Sequence, residues 1–128
     1  MKKKQSYVRP TDGELEILRI LWSLGPSGVG QVHKVHHAAK GTTYNTTLKL
    51  MLIMNEKGLV RRDESVRPQI YSASLPEGQL QQRLVWDLLQ RAFEGSAKNF
   101  VAALTATDLS KKERAEIRQL LNETEDKR

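Results

Sequence analysis

The segment TTYNTTLKLMLIMNEKGLVRR, residues 42–62, decides the fold because its pattern of apolar residues changes once, from that of a helix to that of a strand. Thr43 is a typical N-cap residue, and the apolar residues after it predict a helix from Tyr44 to Lys57 that Gly58 ends. Residues 59–62 and 69–72 then predict two short strands, joined by the charged hairpin tip 63–68. This order indicates a helix followed directly by a β wing.

Two further helices are predicted before this segment. Residues 11–14 have capping-box spacing, and the apolar period that follows predicts a helix that Gly25-Pro26 ends. Residues 27–30 are rich in turn formers with room for a very short extended piece, and residues 30–39 predict a second helix. The first helix has one apolar stripe, and the second has apolar residues recurring on one side. They are Leu15, Leu18, Leu21 and Trp22 on the first helix and Val32, Val35 and Ala39 on the second. The core residues expected on the third helix are Leu48, Leu50, Met51, Leu52 and Met54.

The remainder of the chain is predicted to be helical from Pro76 onward, with a break at Gly95 and a second capping box from Ser110 to Glu113. The predicted fold class is therefore mainly α with a small antiparallel β wing. Residues 1–75 form a winged helix-turn-helix domain, and residues 76–128 form a helical segment.

The helical segment has more apolar side chains than about 50 residues can bury internally, which predicts a homodimer. For Trp86 and Phe93, packing within one chain is an equally good interpretation. The expected dimerisation residues are Leu84, Trp86, Leu88, Phe93, Val101, Leu104, Ile117, Leu120 and Leu121.

The charge of the chain is concentrated in the predicted winged-helix domain. The formal net charge is +6, and residues 1–75 have 12 basic and 6 acidic side chains, whereas residues 76–128 have 9 of each. A basic half indicates a polyanionic partner. Lys2, Lys3 and Lys4 would add affinity that depends on salt and not on sequence.

Several classes of protein are excluded by composition and motifs. The chain has no cysteine, which removes disulfides, metal–thiolate sites and cysteine nucleophiles. It has no apolar run of about 18 residues, so we expect no membrane insertion and a cytoplasmic location. It has no phosphate-binding glycine loop, nucleophile elbow or apolar carboxylate pair, so we expect neither catalysis nor a cofactor.

The start of the third helix is the predicted contact with double-stranded DNA. A helix in the major groove recognises base edges through its N-terminal residues, and Asn45 suits adenine. Two arginines of the wing suit a phosphate or a narrow minor groove. The alternatives are an ordinary capped helix and a solvated turn. The predicted DNA-binding residues are Thr43, Tyr44, Asn45, Thr46, Lys49, Arg62 and Arg67.

Three histidines allow a second hypothesis. His33, His36 and His37 are spaced i, i+3 and i+4, which places imidazoles on one helix face, although no carboxylate is near them in the sequence. The alternative function is a ligand- or metal-responsive winged-helix regulator. A third hypothesis, from another class, is a winged helix that binds RNA or another protein.

Four segments of the chain resemble the penicillinase-repressor family (BlaI/MecI/CopY) of bacterial winged-helix transcriptional repressors. They are residues 12–22, residues 31–34, residues 43–62 and the strand of residues 70–73. The resemblance implies a homodimer on a pseudo-palindromic promoter operator. It also implies release by a membrane sensor-protease that cuts the C-terminal part of the chain.

The chain departs from the family pattern at several positions. Thr47 stands where the family usually has an apolar residue, and Ile53 stands where it has an arginine. The copper-responsive members have C-terminal cysteines, so a copper–thiolate sensor is excluded here. Asn99-Phe100 resembles a scissile pair but lies about four residues too early, and Ala103-Leu104 falls at the matching place.

Overall fold

The computed structural model describes residues 8–126, so the predicted contribution of Lys2, Lys3 and Lys4 lies outside the described residues. The described chain forms six helices and two antiparallel strands, which confirms the predicted fold class. The elements are α1 Asp12–Leu24, α2 Val29–Lys40, α3 Tyr44–Lys57, β1 Val60–Asp63, β2 Ile70–Ala73, α4 Glu77–Phe93, α5 Ala97–Thr105 and α6 Lys111–Asp126.

Helix α3 begins and ends where its sequence predicts. The Thr43 hydroxyl accepts a hydrogen bond from the Thr46 N–H at 3.2 Å, which satisfies one of the free donors of the first turn. Gly58 ends the helix with φ of 84° in the left-handed region, and its N–H donates to the carbonyls of Met54 and Asn55. Because glycine adopts this conformation without strain, the chain turns directly from α3 into β1.

The wing is attached to the helices by a third extended piece. Strands β1 and β2 pair with Arg62 opposite Tyr71. On the other side of β2, the Ser27 N–H donates to the Tyr71 carbonyl at 2.9 Å, and the Tyr71 N–H donates to the Ser27 carbonyl at 2.8 Å. The short extended piece predicted at residues 27–30 is therefore present at Ser27.

One core joins the first three helices, the two strands of the wing and the first turn of α4. Its fully buried apolar residues come from every one of these elements, and each stabilises the fold by about 1.5–3 kcal/mol through burial. They are Ile17, Leu18, Leu21, Val32, Met51, Met54, Val60, Tyr71 and Leu80. Leu15, Trp22 and Leu50 pack against this core while partly buried.

The predicted core was wrong at Leu52, and the apolar side predicted for α2 was wrong at Val35 and Ala39. Val35, Ala39 and Leu52 are exposed. On α2 the buried stripe is formed by Val32 and His36, which are one helical turn apart. His36 therefore occupies the buried position of α2 at which an apolar residue was expected.

An ion pair joins the start of α1 to the end of α3. Glu14 is 2 % exposed, and its Oε2 accepts a hydrogen bond from Lys57 Nζ at 2.6 Å. Its Oε1 accepts from the Thr11 N–H at 2.9 Å, which completes the predicted capping box. Burial alone would raise the pKa of Glu14, but the bonds from Lys57 and Thr11 outweigh burial and hold the pKa below its ordinary value.

The chain divides into two compact units between Leu84 and Val85, within α4. In the second unit the Phe93 and Phe100 rings pack edge to face at 5.4 Å, and the Arg114 guanidinium donates to the Thr105 carbonyl at 2.9 Å. No residue from Val85 to Thr124 is buried. The second unit, as described, has local contacts but no buried core of its own.

Glu14→Gln should lower the free energy of unfolding by about 1–2 kcal/mol near neutral pH, because it removes a charged hydrogen bond whose lysine is one-third exposed. A carboxyl whose folded-state pKa is depressed stabilises the fold above its unfolded value of 4.5, and this contribution is lost as the pH falls through the folded-state pKa. The difference between wild type and variant in denaturant unfolding should therefore shrink as the pH is lowered below 4.5.

Glu56→Gln is the matched control, since Glu56 is exposed on α3. It should change the free energy of unfolding by less than about 0.5 kcal/mol. A difference between wild type and Glu14→Gln that does not vary with pH would contradict the role of the Glu14 carboxylate.

Candidate nucleic-acid interface

The first turns of α3 present a polar surface to solvent. Thr43, Tyr44, Asn45, Thr46 and Lys49 are all exposed, whereas Thr47, Met51 and Met54 of the same helix are buried. The helical period separates the two sets, so one face of α3 belongs to the core and the other is free for a partner. The structure thus brings together the five α3 residues that the sequence predicted.

Three of these five side chains already have local partners. The Thr43 hydroxyl caps the helix and donates to Thr46 Oγ1 at 3.0 Å, which leaves the Thr46 hydroxyl proton available. The Tyr44 ring stands edge-on to His33 with the centroids 5.7 Å apart, while about half of the tyrosine remains exposed. These contacts order the start of α3 and leave Asn45 and Lys49 exposed beside it.

An open groove runs beside this surface, between the start of α2, helix α3 and the wing. It is lined by Tyr44, Leu48 and Leu52 of α3 and by residues 28–31 of α2. Pro68, Gln69 and Tyr71 form its wing side. The groove therefore separates the polar face of α3 from the base of the wing.

The two predicted wing arginines lie in different surroundings. Nε and Nη2 of Arg62 donate to Glu64 Oε2 at 3.0 and 2.8 Å. Interaction with Tyr71, and then with Glu64, raises the pKa of the Arg62 guanidinium. Arg67 is exposed in the tip. Arg62 is thus held against the wing, and Arg67 is the cation that the tip presents to solvent.

A polar chain that the sequence did not predict connects the first three helices. His36 is 2 % exposed, and its Nδ1 lies 3.0 Å from Oγ1 of Thr47, which is fully buried. Its Nε2 lies 3.4 Å from Glu16 Oε1, and Lys40 Nζ lies 3.2 Å from Glu16 Oε2. Hydrogen bonding from Lys40 holds the pKa of Glu16 below its ordinary value; partial burial opposes this, and His36 adds to it.

The three histidines do not face one site. His36 is bonded to α1 and α3, while the other two lie against the turn after α2. His33 Nε2 and His37 Nδ1 are 3.1 and 3.0 Å from the carbonyl oxygen of Thr42. In the part of the chain that the structure describes, no group of three His, Asp or Glu side chains is placed to hold a metal ion.

The predicted dimerisation residues are mostly exposed in the single chain. Trp86 and Leu120 are 63 % and 62 % exposed. Phe93 is half-buried against Phe100, so packing within the chain accounts for it. The others are exposed at Leu88, Val101, Leu104 and Leu121 and half-buried at Leu84 and Ile117. Both candidate scissile pairs, Asn99-Phe100 and Ala103-Leu104, lie within helix α5.

Comparison with known proteins identifies one family. A family model described as penicillinase repressor matches residues 10–123, which is nearly the whole chain. A comparison with curated proteins finds no match. The family match includes the polar face of α3, the wing and the helices that follow.

Thr47→Val should lower the free energy of unfolding by about 1–3 kcal/mol, because it leaves the Nδ1 atom of buried His36 without a partner. When His36→Leu is added, the double variant should be less destabilised than the sum of the single variants, by about 0.5–3 kcal/mol. Denaturant unfolding of the four proteins measures this coupling.

His33→Leu with Thr47→Val is the matched control. His33 bonds the Thr42 carbonyl and not Thr47, so these two substitutions should be additive. If His36→Leu and Thr47→Val were also additive, their hydrogen bond would not be what couples α2 to α3.

Proposed function

The chain belongs to the penicillinase repressor family, which comprises transcription regulators and not enzymes, and from this membership we propose that it is a homodimeric repressor of a promoter operator. In this proposal residues 1–75 bind double-stranded DNA and residues 76–128 form the dimer. The observation that carries the proposal is the polar, exposed face of α3, whose opposite face is fixed in the core.

Helix α3 is proposed to enter the major groove with its first turns. The Asn45 amide donates one hydrogen bond and accepts another, which matches the N6 and N7 edge of adenine. Thr43 and Thr46 suit a phosphate or a thymine methyl group, and Tyr44 suits the sugar–phosphate edge. Lys49, one turn after Asn45, is directed to a phosphate and contributes affinity without specificity.

The wing is proposed to contact the adjacent backbone or minor groove through Arg67, which is exposed in the tip. Arg62 is bonded to Glu64, so its charge is partly compensated before DNA binds. We therefore assign it the role of shaping the wing, with a phosphate contact available when Glu64 releases it.

The second unit is proposed to form the two-fold interface. Large apolar side chains that remain exposed, such as Trp86 and Leu120, lose contact with water when a second copy covers them. A two-fold dimer presents two α3 helices about 34–36 Å apart, one turn of DNA, which matches a pseudo-palindromic operator. Occupation of such an operator blocks polymerase.

Relief of repression is proposed to follow from cleavage by a membrane sensor-protease, as the family implies. A protease binds an extended chain, so α5 has to unwind before Ala103-Leu104 is cut. Because α5 has only nine residues, unwinding it costs little free energy. The cut separates α6 from the remainder and weakens the dimer. Mass spectrometry of the chain from induced cells that contain the sensor tests this, and an intact chain contradicts it.

The proposed location is the bacterial cytoplasm, where the operator is. Among the helices of residues 8–126, none combines the length and the apolar character that crossing a bilayer requires.

Asn45→Ala should relax the preference for one base pair by about 1–3 kcal/mol, whereas Lys49→Ala should weaken binding to all sequences and reduce the salt slope by about 1. Sequencing of DNA selected by the purified protein supplies the operator, and titrations at several salt concentrations measure both effects. Identical behaviour of the two variants would contradict this division of roles. Equal affinity for the operator and for random duplexes would refute the proposal that the chain is an operator-specific repressor.

Leu120→Asp should convert the dimer to a monomer, because it places a charge in the proposed apolar interface. Operator affinity should fall with it, since one recognition helix then binds alone. Sedimentation velocity measures the oligomeric state. Asn122→Asp adds the same charge to an exposed polar position of α6 and should leave the dimer intact. A wild-type monomer at micromolar concentration would refute the dimer itself.

A further inference from the structure

The turn between α2 and α3 brings two imidazoles to one backbone oxygen. His33 Nε2 lies 3.1 Å from the Thr42 carbonyl oxygen, and His37 Nδ1 lies 3.0 Å from the same oxygen. The two rings are one helical turn apart on α2, with centroids separated by 5.5 Å and planes inclined by 49°. Two ring nitrogens therefore converge on one carbonyl oxygen from the same helix face.

These separations are those of neighbouring ligands on a metal ion. Two ligand atoms with bonds of about 2.1 Å to one ion are about 3.0 Å apart at a right angle and about 3.4 Å apart at the tetrahedral angle that zinc prefers. The two nitrogen–oxygen distances, which are also those of hydrogen bonds, are thus close to the spacing of two ligands on one ion, and the two rings stand side by side with their centroids 5.5 Å apart. The remaining positions face solvent on the side of His37, which is exposed.

The hydroxyl of Thr42 adds a second observation at the same turn. Thr42 Oγ1 is buried and has no hydrogen-bond partner in the described part of the chain. Buried hydroxyls usually have a partner, and one that does not calls for an explanation. The residue that supplies the shared carbonyl therefore also has an unsatisfied oxygen.

His36 is not a member of this set. Its Nδ1 is taken by Thr47 and its Nε2 faces Glu16, so both ring nitrogens have partners inside the fold. The ligand set is consequently two imidazoles and a carbonyl, completed by water. Imidazole nitrogen suits zinc, nickel and copper and does not suit magnesium, which prefers oxygen ligands.

We propose that His33 Nε2, His37 Nδ1 and the carbonyl oxygen of Thr42 bind one divalent transition-metal ion at the turn that leads into α3. In each neutral imidazole the proton moves to the other ring nitrogen, so the ion takes the lone pair without a net loss of protons. The site does not depend on DNA binding or on dimerisation.

Equilibrium dialysis of the full chain against Zn²⁺ tests this inference. We expect one ion per chain, strong reduction of uptake in His33→Ala and in His37→Ala, and no comparable uptake of Mg²⁺. The chain has three histidines and no cysteine, so these variants and one control cover all its imidazole and thiol ligands. The control is His36→Gln, which should retain the ion, with circular dichroism verifying its fold.

A second measurement locates the ion without any substitution. In nitrogen-detected NMR of the wild type, Zn²⁺ should shift His33 Nε2 and His37 Nδ1 and leave the His36 nitrogens nearly unchanged. Absence of uptake by the wild type would overturn the proposal. So would undiminished uptake in both alanine variants, or shifts confined to His36.

Discussion

The contact between His36 and Thr47 is the constraint on which the proposed interface depends. Apolar burial of Met51 and Met54 turns one face of α3 to the core but fixes the rotation of the helix only coarsely, because the hydrophobic effect is non-directional. A hydrogen bond of 3.0 Å between two buried groups has a preferred direction as well as a distance. Thr47 follows Asn45 by two residues on the same helix, so the bond that fixes Thr47 also fixes the direction in which Asn45 is exposed.

Glu16 sets the chemistry of that contact from a third helix. An ionised carboxylate only accepts hydrogen bonds, so the bond between His36 and Glu16 is donated by the Nε2–H of the ring, while Nδ1 on its other side meets the Thr47 hydroxyl. Lys40 supports the ionised form of Glu16 from the end of α2. Residues of α1, α2 and α3 therefore share one polar network beneath the proposed recognition surface. Replacing one member alone leaves the others unsatisfied.

Local signals in the sequence predicted the elements, whereas tertiary partners decided which residues they bury. Thr43 and Gly58 set the ends of α3, and the structure agrees with both. Periodicity identified Met51 and Met54 but predicted Val35, and not His36, on the inward side of α2. A polar residue is buried only where a partner meets it. The partners of His36 are 11 and 20 residues away, and no local pattern shows that they will meet it.

Three residues of α3 depart from the predicted core or from the family pattern, and the departures have different consequences for the core. Leu52 was expected in the core but is exposed, next to exposed Ile53. Ile53 is the position at which the resemblance to the family implies an arginine, and since it is on the surface, this departure would remove a cation there and leave the core packing unchanged. Thr47 is buried, so its difference from the family pattern changes the interior.

The distribution of charge explains how two basic halves can be held together in the proposed dimer. Residues 76–128 are balanced and can meet a second copy without repulsion, and recognition helices about 34 Å apart are separated by several Debye lengths at physiological salt.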